Sequence, residues 1–142
     1  MNLRTTKKVA RQVAHQLQQH NGGVVYLHGV MGAGKTTLVG EIVRILCPTA
    51  QPNSPTYTLI NQYAENIYHA DLYRLWHDDN LDVRPDENQI QQILDSTGIL
   101  DLCVPGNYVL IEWSHGIKLG DVYQMTINIK VKEDGNREFI ID

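Results

Sequence analysis

A glycine-rich loop between an apolar run and an amphipathic segment constrains the fold of this chain more than any other feature. Gly29–Thr36 reads Gly-Val-Met-Gly-Ala-Gly-Lys-Thr and fits the pattern G-x-x-x-x-G-K-[ST] at every fixed position. The β-branched and apolar run Val24–His28 precedes it and predicts a buried strand, while Lys35–Leu46 places apolar side chains along one face of a helix. This order of strand, loop and helix indicates a P-loop protein that binds the phosphates of a nucleotide.

The residue types of the loop suit a nucleoside triphosphate with Mg²⁺. Glycines let the backbone wrap closely around a phosphate with N–H groups aimed at its oxygens, and the helix N-terminus adds partial positive charge. We expect Lys35 to contact the β- and γ-phosphates, the Thr36 hydroxyl to bind Mg²⁺ and Thr37 to lie near the α-phosphate. The other predicted nucleotide-binding residues contribute backbone groups: Gly29, Gly32, Ala33 and Gly34.

Two carboxylates are candidates to complete a magnesium site beside this loop. Glu112 follows the apolar run Val109–Ile111, and an acidic residue at the end of a buried strand is the usual partner of a phosphate loop. Glu112 could bind Mg²⁺ through water or act as a base on the attacking water. Asp71 follows the predicted strand 66–70 and is the second candidate metal ligand. The sequence leaves open which acid binds the metal and which positions water.

Three further residues lie in segments that could approach the phosphates. Thr56 lies in the polar, proline-containing segment 51–58, and the corresponding loop of switch proteins carries a threonine that senses the γ-phosphate. Arg74 could pair with a phosphate or with Asp71, or it could be a solvated surface arginine. For His69 the sequence favours a structural role over a catalytic one, since a lone histidine is more often structural.

The rest of the chain predicts an α/β fold in a single P-loop domain spanning residues 1–142. Apolar residues that recur every four residues predict a helix over 5–19. Another helix is predicted with Pro85 at its first position and with Asp86 and Glu87 in its first turn.

The predicted strands are apolar or alternating segments bounded by turn residues. Besides the strand before the loop, they cover residues 57–63, 66–70, 108–113, 124–131 and 137–141. The first two are expected to join at Ala64-Glu65, and the last two to form a hairpin across Asp134-Gly135. Helices interleaved with buried strands predict a three-layer sandwich around a mixed, mainly parallel sheet with an antiparallel edge hairpin.

Composition is that of an ordinary globular protein, with 42% apolar and 20% charged residues. A net charge of −4 gives no reason to expect direct binding of DNA. Cys47 and Cys103 lie in no metal-binding spacing and fit a reducing cytoplasm as small buried side chains. No apolar run approaches the roughly 20 residues needed to span a bilayer, so we expect a cytoplasmic protein without a membrane partner.

Together these segments resemble the TsaE family, formerly YjeE, the small bacterial ATPases required to form threonylcarbamoyladenosine on tRNA. The second and third of four matching blocks are specific to the family, whereas the first is shared by all P-loop proteins. In family order, the blocks are Gly32–Thr37, Ser54–Leu59, His69–Leu75 and Leu110–Trp113.

The resemblance implies an enzyme that hydrolyses ATP with Mg²⁺ inside a complex with two carbohydrate-kinase-like proteins, TsaB and TsaD. TsaD transfers the threonylcarbamoyl group to adenosine 37 of ANN-decoding tRNAs, and ATP hydrolysis resets that transferase. The ATPase would therefore meet tRNA only indirectly, through the complex, and its turnover would be slow without partners.

The resemblance also implies roles for individual residues. The family has an acidic residue at the positions of Asp71 and Glu112 and a threonine at the position of Thr56. These three residues and Lys35 are therefore the expected catalytic residues. Thr36, together with the two acids, is the expected metal-binding set.

The sequence departs from the family pattern at three places. Val30-Met31 stand where the family usually has Asp-Leu, which removes a carboxylate near the phosphates and bears on the hydrolysis rate. The segment 76–107 matches weakly, and residues 114–116 replace the usual continuation after the fourth block. We expect contacts with partner proteins to differ accordingly.

The sequence also bears on three function classes other than an ATPase. A regulatory GTPase would need an Asn-Lys-x-Asp element to recognise guanine, and the sequence has none. A small-molecule or nucleoside kinase would need an acceptor pocket and usually an arginine-rich lid, for which the chain has few arginines and little room. A non-catalytic module, in which bound ATP only orders a partner-binding surface, remains open.

Overall fold

The structure, a computed structural model, describes residues 3–30, 32–50, 60–72, 86–112 and 118–142. These residues form four helices and six strands. In chain order they are α1 (Leu3–Gln19), β1 (Gly23–His28), α2 (Lys35–Leu46), β2 (Ile60–Ala64), β3 (Ile67–Asp71), α3 (Glu87–Thr97), α4 (Ile99–Leu102), β4 (Tyr108–Glu112), β5 (Gln124–Val131) and β6 (Arg137–Ile141).

All six strands belong to one sheet, in the order β2-β3-β4-β1-β5-β6. The strand β1 lies inside the sheet and runs parallel to both neighbours, β4 and β5, and β3 is parallel to β4. The pairs β2–β3 and β5–β6 are antiparallel. The predicted mixed, mainly parallel sheet is therefore confirmed, and both of its edges carry an antiparallel hairpin.

Helices cover both faces of the sheet, which gives the three layers that the sequence predicts. On one face, Val13 and Leu17 of α1 pack with Leu38 and Ile42 of α2 against residues such as Ile127 of the sheet. The apolar stripe of α1 is buried in full, as its four-residue spacing requires.

The opposite face of the sheet packs against the two later helices. Leu94 of α3 and Ile99 of α4 contact a cluster that includes Tyr26 of β1 and Val109 and Ile111 of β4. The strands β1 and β4 are thus buried on both faces, which is why each reads as a continuous apolar run.

The start of α3 differs from the sequence prediction. Asp86 caps this helix: its side chain accepts from the N–H of Gln89 at 2.8 Å, and the Gln89 side chain accepts from the N–H of Asp86 at 3.0 Å. The helix begins at Glu87, so the placement of Pro85 at its first position and of Asp86 in its first turn was wrong. The reciprocal capping bonds favour Asp86 as the residue before the helix. Pro85 itself lies outside the described residues.

The turn between β2 and β3 also lies one residue later than predicted. Ala64 still belongs to β2 and β3 begins at Ile67, so the chain turns at Glu65-Asn66. The predicted strand residues 57–59 lie outside the described part of the chain. Among the described helices, none combines the length and apolar character needed to cross a membrane.

Candidate nucleotide-binding site

The carboxyl ends of the parallel strands β1, β3 and β4 meet at one edge of the sheet, and most of the candidate residues lie there. In the sheet register, Glu112 is opposite Leu27 of β1 and Asp71 of β3. Since β1 ends at His28, the glycine-rich loop begins beside these two carboxylates. Neighbouring parallel strands thus bring together residues that are far apart in the sequence.

The loop backbone adopts conformations that depend on glycine. Gly32 (φ 83°) and Gly34 (φ 104°) have left-handed φ angles, which residues with a Cβ rarely adopt. At Gly29 the limit is space: a Cβ would lie 3.0 Å from the carbonyl oxygen of Ile129 and 3.1 Å from the Cβ of Ala33. The loop therefore packs closely against β5 on the side away from the carboxylates.

Lys35, the first residue of α2, turns its side chain back into the loop. It is only 7% exposed, and its Nζ donates to the carbonyl of Gly29 at 2.7 Å. Burial lowers the pKa of Lys35, while the charges of Glu112 and Asp71 act in the opposite direction. A cation held this way inside the loop is placed to donate charge-assisted hydrogen bonds to a phosphate.

Glu112 is the most enclosed carboxylate of the site, with 4% of its surface exposed. One oxygen, Oε1, accepts from the Thr36 hydroxyl at 3.3 Å, and the other, Oε2, lies 2.8 Å from Nε2 of His69. Burial alone would raise the pKa of Glu112. The hydrogen bond and charge of His69, the charge of Lys35 and the Thr36 hydroxyl together hold it below its ordinary value. The buried carboxylate is thus stabilised in its ionised form.

His69 takes a more central place than the sequence suggested. Its ring is buried against Glu112, and its Nδ1 has no hydrogen-bond partner among the described residues. The sequence contained a signal for this position, because His69 and Asp71 are two residues apart on β3 and so lie on one face of the sheet. The ring of Tyr63 lies nearby, with its centroid 6.3 Å from that of His69.

The remaining predicted residues divide between the site and the undescribed segments. Asp71 is partly buried and close enough to raise the pKa of Lys35 by its charge. Thr37 lies in the first turn of α2 and is partly buried. Thr56 and Arg74 lie outside the residues that the structure describes.

The side-chain oxygen atoms of Thr36 and Glu112 suit a Mg²⁺ ion that is bound together with a nucleotide, rather than a metal ion that protein side chains alone would hold. No group of three or more His, Cys, Asp and Glu side chains in the described ranges could hold a metal ion. Mg²⁺ bound with a nucleotide needs only one or two protein oxygens, because phosphate oxygens and water supply the rest. The Thr36 hydroxyl and the Glu112 carboxylate, which contact each other, are oxygen ligands of this kind.

Arg137 is a residue of the site that sequence reasoning missed. From the start of β6 its guanidinium donates to two carbonyls of the loop, those of Gly32 and Ala33. No motif marks this residue, and the contact spans more than a hundred residues of sequence.

Comparisons with known proteins identify a family to which this chain is similar. A family model, described as the threonylcarbamoyl adenosine biosynthesis protein TsaE, matches residues 1–139. The tRNA threonylcarbamoyladenosine biosynthesis protein TsaE of Haemophilus influenzae is 37% identical over 115 residues, which cover 79% of this chain and 64% of the relative.

Two further relatives carry the same name. The protein of Synechocystis sp. is 43% identical over 77 residues, covering 52% of this chain and 48% of the relative. The protein of Rickettsia bellii is 34% identical over 137 residues, covering 93% and 84%. The matched part of the chain thus covers about two thirds of the Haemophilus relative, about half of the Synechocystis relative and most of the Rickettsia relative.

Proposed function

The chain belongs to the TsaE family, and on that premise we propose that it binds ATP with Mg²⁺ at Gly29–Thr37 and hydrolyses it during formation of threonylcarbamoyladenosine on tRNA. One observation carries the chemical part of this proposal. The buried ammonium of Lys35 lies inside a glycine loop beside an ionised, buried carboxylate, Glu112, that accepts from the Thr36 hydroxyl. A cation for phosphate and an oxygen pair for a metal are two of the parts that nucleotide hydrolysis requires.

Each loop residue has a defined part in holding the polyphosphate. Lys35 would donate to the β- and γ-phosphates, and backbone N–H groups of the loop and of the first turn of α2 would bind phosphate oxygens. Thr36 would hold the metal with Glu112 or Asp71. When Mg²⁺ is bound, it neutralises charge that develops on the phosphates during hydrolysis.

Glu112 and Asp71 are proposed to divide two roles between them, metal binding and orientation of the attacking water. His69 holds one oxygen of Glu112, which orients the other toward Thr36. The acid that does not bind the metal accepts a hydrogen bond from the attacking water. Thr56, which lies in the family block after α2, is proposed to contact the γ-phosphate. Partner proteins of the TsaB and TsaD type, with tRNA bound through them, are proposed to raise the turnover.

A second candidate function is a nucleotide-sensing module that binds ATP without hydrolysing it. Val30 is 65% exposed at the position where the family usually has an aspartate, so this part of the loop offers no carboxylate to the phosphates. Bound ATP would then act only by ordering a surface for a partner protein.

The test is release of phosphate from Mg-ATP and Mg-GTP, by the chain alone and with TsaB and TsaD homologues plus tRNA. We expect slow ATP turnover alone, an increase with the partners and no turnover of GTP. Tight ATP binding without turnover in any mixture would support the sensing module instead.

Lys35→Ala tests the placement of the phosphates. We expect ATP affinity to fall about 1,000-fold, because a buried, charge-assisted contact is lost. Lys132→Ala is the matched control, since it removes an exposed lysine from the β5–β6 turn. Retained ATP affinity in Lys35→Ala would contradict the proposed site.

A further inference from the structure

We propose that Arg137 is a positioning residue of the phosphate loop, which it holds from the edge hairpin in the shape that receives the β-phosphate of a nucleoside di- or triphosphate. The inference rests on the proposed nucleotide binding and deepens it. It concerns a residue outside the P-loop pattern and outside the four family blocks.

The contacts of Arg137 with the loop are two parallel hydrogen bonds from one planar group. Its Nε donates to the carbonyl of Ala33 at 3.1 Å, and its Nη2 donates to the carbonyl of Gly32 at 3.0 Å. A guanidinium presents its donors in a rigid fork, so two neighbouring carbonyls held this way are fixed in direction as well as in position.

Fixing these carbonyls also fixes the N–H groups of the same peptide planes. In a trans peptide the C=O and the N–H point in opposite directions. The N–H groups of Ala33 and Gly34 therefore point away from Arg137. That of Ala33 donates to the carbonyl of Val30 at 3.0 Å and tightens the loop. That of Gly34, held through the carbonyl of Ala33, is the N–H that we infer would bind the phosphate.

The loop needs such support because its glycines restrain it little. Gly32 and Gly34 adopt left-handed φ angles, and glycine passes readily between these and other conformations. An external contact on the peptides between them reduces the freedom that phosphate binding would otherwise have to remove.

Arg137 is itself held in place by the hairpin. It is partly buried at the first position of β6, opposite Val131, and its Nη1 donates to the carbonyl of Gly135 at 2.6 Å. The turn is closed by the N–H of Lys132, which donates to the carbonyl of Asn136 at 2.7 Å. The guanidinium is thus oriented before any ligand arrives.

The charge of Arg137 also suits a phosphate. Among the described residues, no carboxylate forms an ion pair with Arg137. Its positive charge lies directly behind the loop, where it adds to the potential that attracts a polyphosphate.

The experiment measures ADP affinity by titration of the full chain in Arg137→Ala, Arg137→Lys and the charge-matched control Lys132→Ala. We expect a loss of about tenfold in Arg137→Ala and no change in the control. Arg137→Lys should lose about threefold, because an ammonium keeps the charge but cannot hold two carbonyls in a fork.

Denaturant unfolding of the same variants distinguishes positioning from a purely structural role. A lower free energy of unfolding in Arg137→Ala with unchanged ADP affinity would overturn the inference. Wild-type affinity in Arg137→Lys would overturn the role of the two-carbonyl fork. If the wild-type chain binds no ADP, the proposed function fails along with the inference, whereas equal binding by wild type and Arg137→Ala contradicts the inference alone.

Discussion

On one side of the phosphate loop lies a carboxylate flank, formed by His69 and Asp71 of β3 and Glu112 of β4, and on the other lies a hairpin flank, formed by Ile129 of β5 and Arg137 of β6. The carboxylate flank meets the loop through side chains, since Glu112 accepts from the Thr36 hydroxyl. The hairpin flank meets it through the backbone, since Arg137 donates to loop carbonyls and Ile129 packs against Gly29.

This difference indicates a division of work between the two flanks. Ionisable side chains at the ends of parallel strands are suited to hold a metal and to orient water, and their burial makes their charges count strongly. The hairpin instead orients peptide groups of the loop, which in the proposed site would bind phosphate whatever reaction follows. We therefore expect changes on the carboxylate flank to reduce turnover and changes on the hairpin flank to reduce nucleotide affinity.

Of the substitutions that test this difference between the two flanks, Glu112→Gln should have the largest effect. The amide keeps the shape of the side chain but removes its charge, so turnover at saturating ATP should fall by about 100-fold or more. ADP affinity should change little, because the phosphate contacts of the loop remain. Measurement of turnover and ADP affinity on the same preparations checks both parts.

Glu65→Gln is the matched control for this change. Glu65 is an exposed acid in the β2–β3 turn, and the hydrogen bonds recorded there use its backbone carbonyl rather than its carboxylate. Unchanged turnover in Glu112→Gln, or an equal loss in Glu65→Gln, would contradict the assignment of the reaction to the carboxylate flank.

His69→Ala should have an effect of intermediate size, which is a loss of folding stability. Removing the hydrogen-bond partner of a buried polar group usually costs about 1–3 kcal/mol, and more where that group is charged. Here we expect the free energy of unfolding to fall by about 2 kcal/mol, because the charge of Lys35 and the Thr36 hydroxyl still support Glu112.

Urea unfolding of His69→Ala beside His15→Ala measures this difference. His15 is exposed on α1, and its removal should change stability by less than about 0.5 kcal/mol. If both variants unfold at the wild-type midpoint, the contact between His69 and Glu112 contributes nothing to the stability of the fold.

Tyr26→Phe should have the smallest effect, and it tests whether ADP affinity depends on Arg137 itself or on any contact that supports the start of β5. The Tyr26 hydroxyl accepts from the N–H of Leu119 at 2.6 Å and donates to the side chain of Gln124, where β5 begins. Its loss should lower the free energy of unfolding by about 1 kcal/mol. ADP affinity should remain, and a fall as large as that expected for Arg137→Ala would show that the hairpin acts as one unit.

The pH dependence of stability gives a second readout for Tyr26. Burial raises the pKa of Tyr26 to about 12, with a smaller contribution from the charge of Cys103, against a hydrogen bond from Leu119 that lowers it. The unfolded state therefore releases this proton first, and stability falls as the pH rises from about 10 to about 12. The difference in the free energy of unfolding between wild type and Tyr26→Phe should become smaller as the pH rises over this range, and urea unfolding measures it.

Much of the fold could be predicted because its signals are local. The way a helix or strand is buried leaves a pattern in its own stretch of sequence. Examples are the four-residue spacing of apolar side chains in α1, the apolar runs of β1 and β4, and the alternation in β5. The elements were placed within a few residues, and the errors fell at ends such as that of α3, where the cap of Asp86 on Gln89 decides the first residue.

The candidate site could be predicted only in part, because some of its contacts join residues that are far apart in the sequence. The loop residues are contiguous, so Lys35 and Thr36 are recognised by spacing alone. Glu112 could be suspected because it ends an apolar strand, but its bonds to Thr36 and His69 require that β3, β4 and β1 lie side by side. His69 looked structural while its neighbours across the sheet were unknown.

The amino-acid order was sufficient to specify a P-loop, an α/β class and a family resemblance, since each of these depends on residues close together along the chain. Tertiary structure alone decided which charges face each other and that Arg137 reaches the carbonyls of Gly32 and Ala33. The reason is that strand order and register join segments separated by tens to more than a hundred residues. Burial then sets the strength of their contacts, because charges and hydrogen bonds count for more where water is excluded.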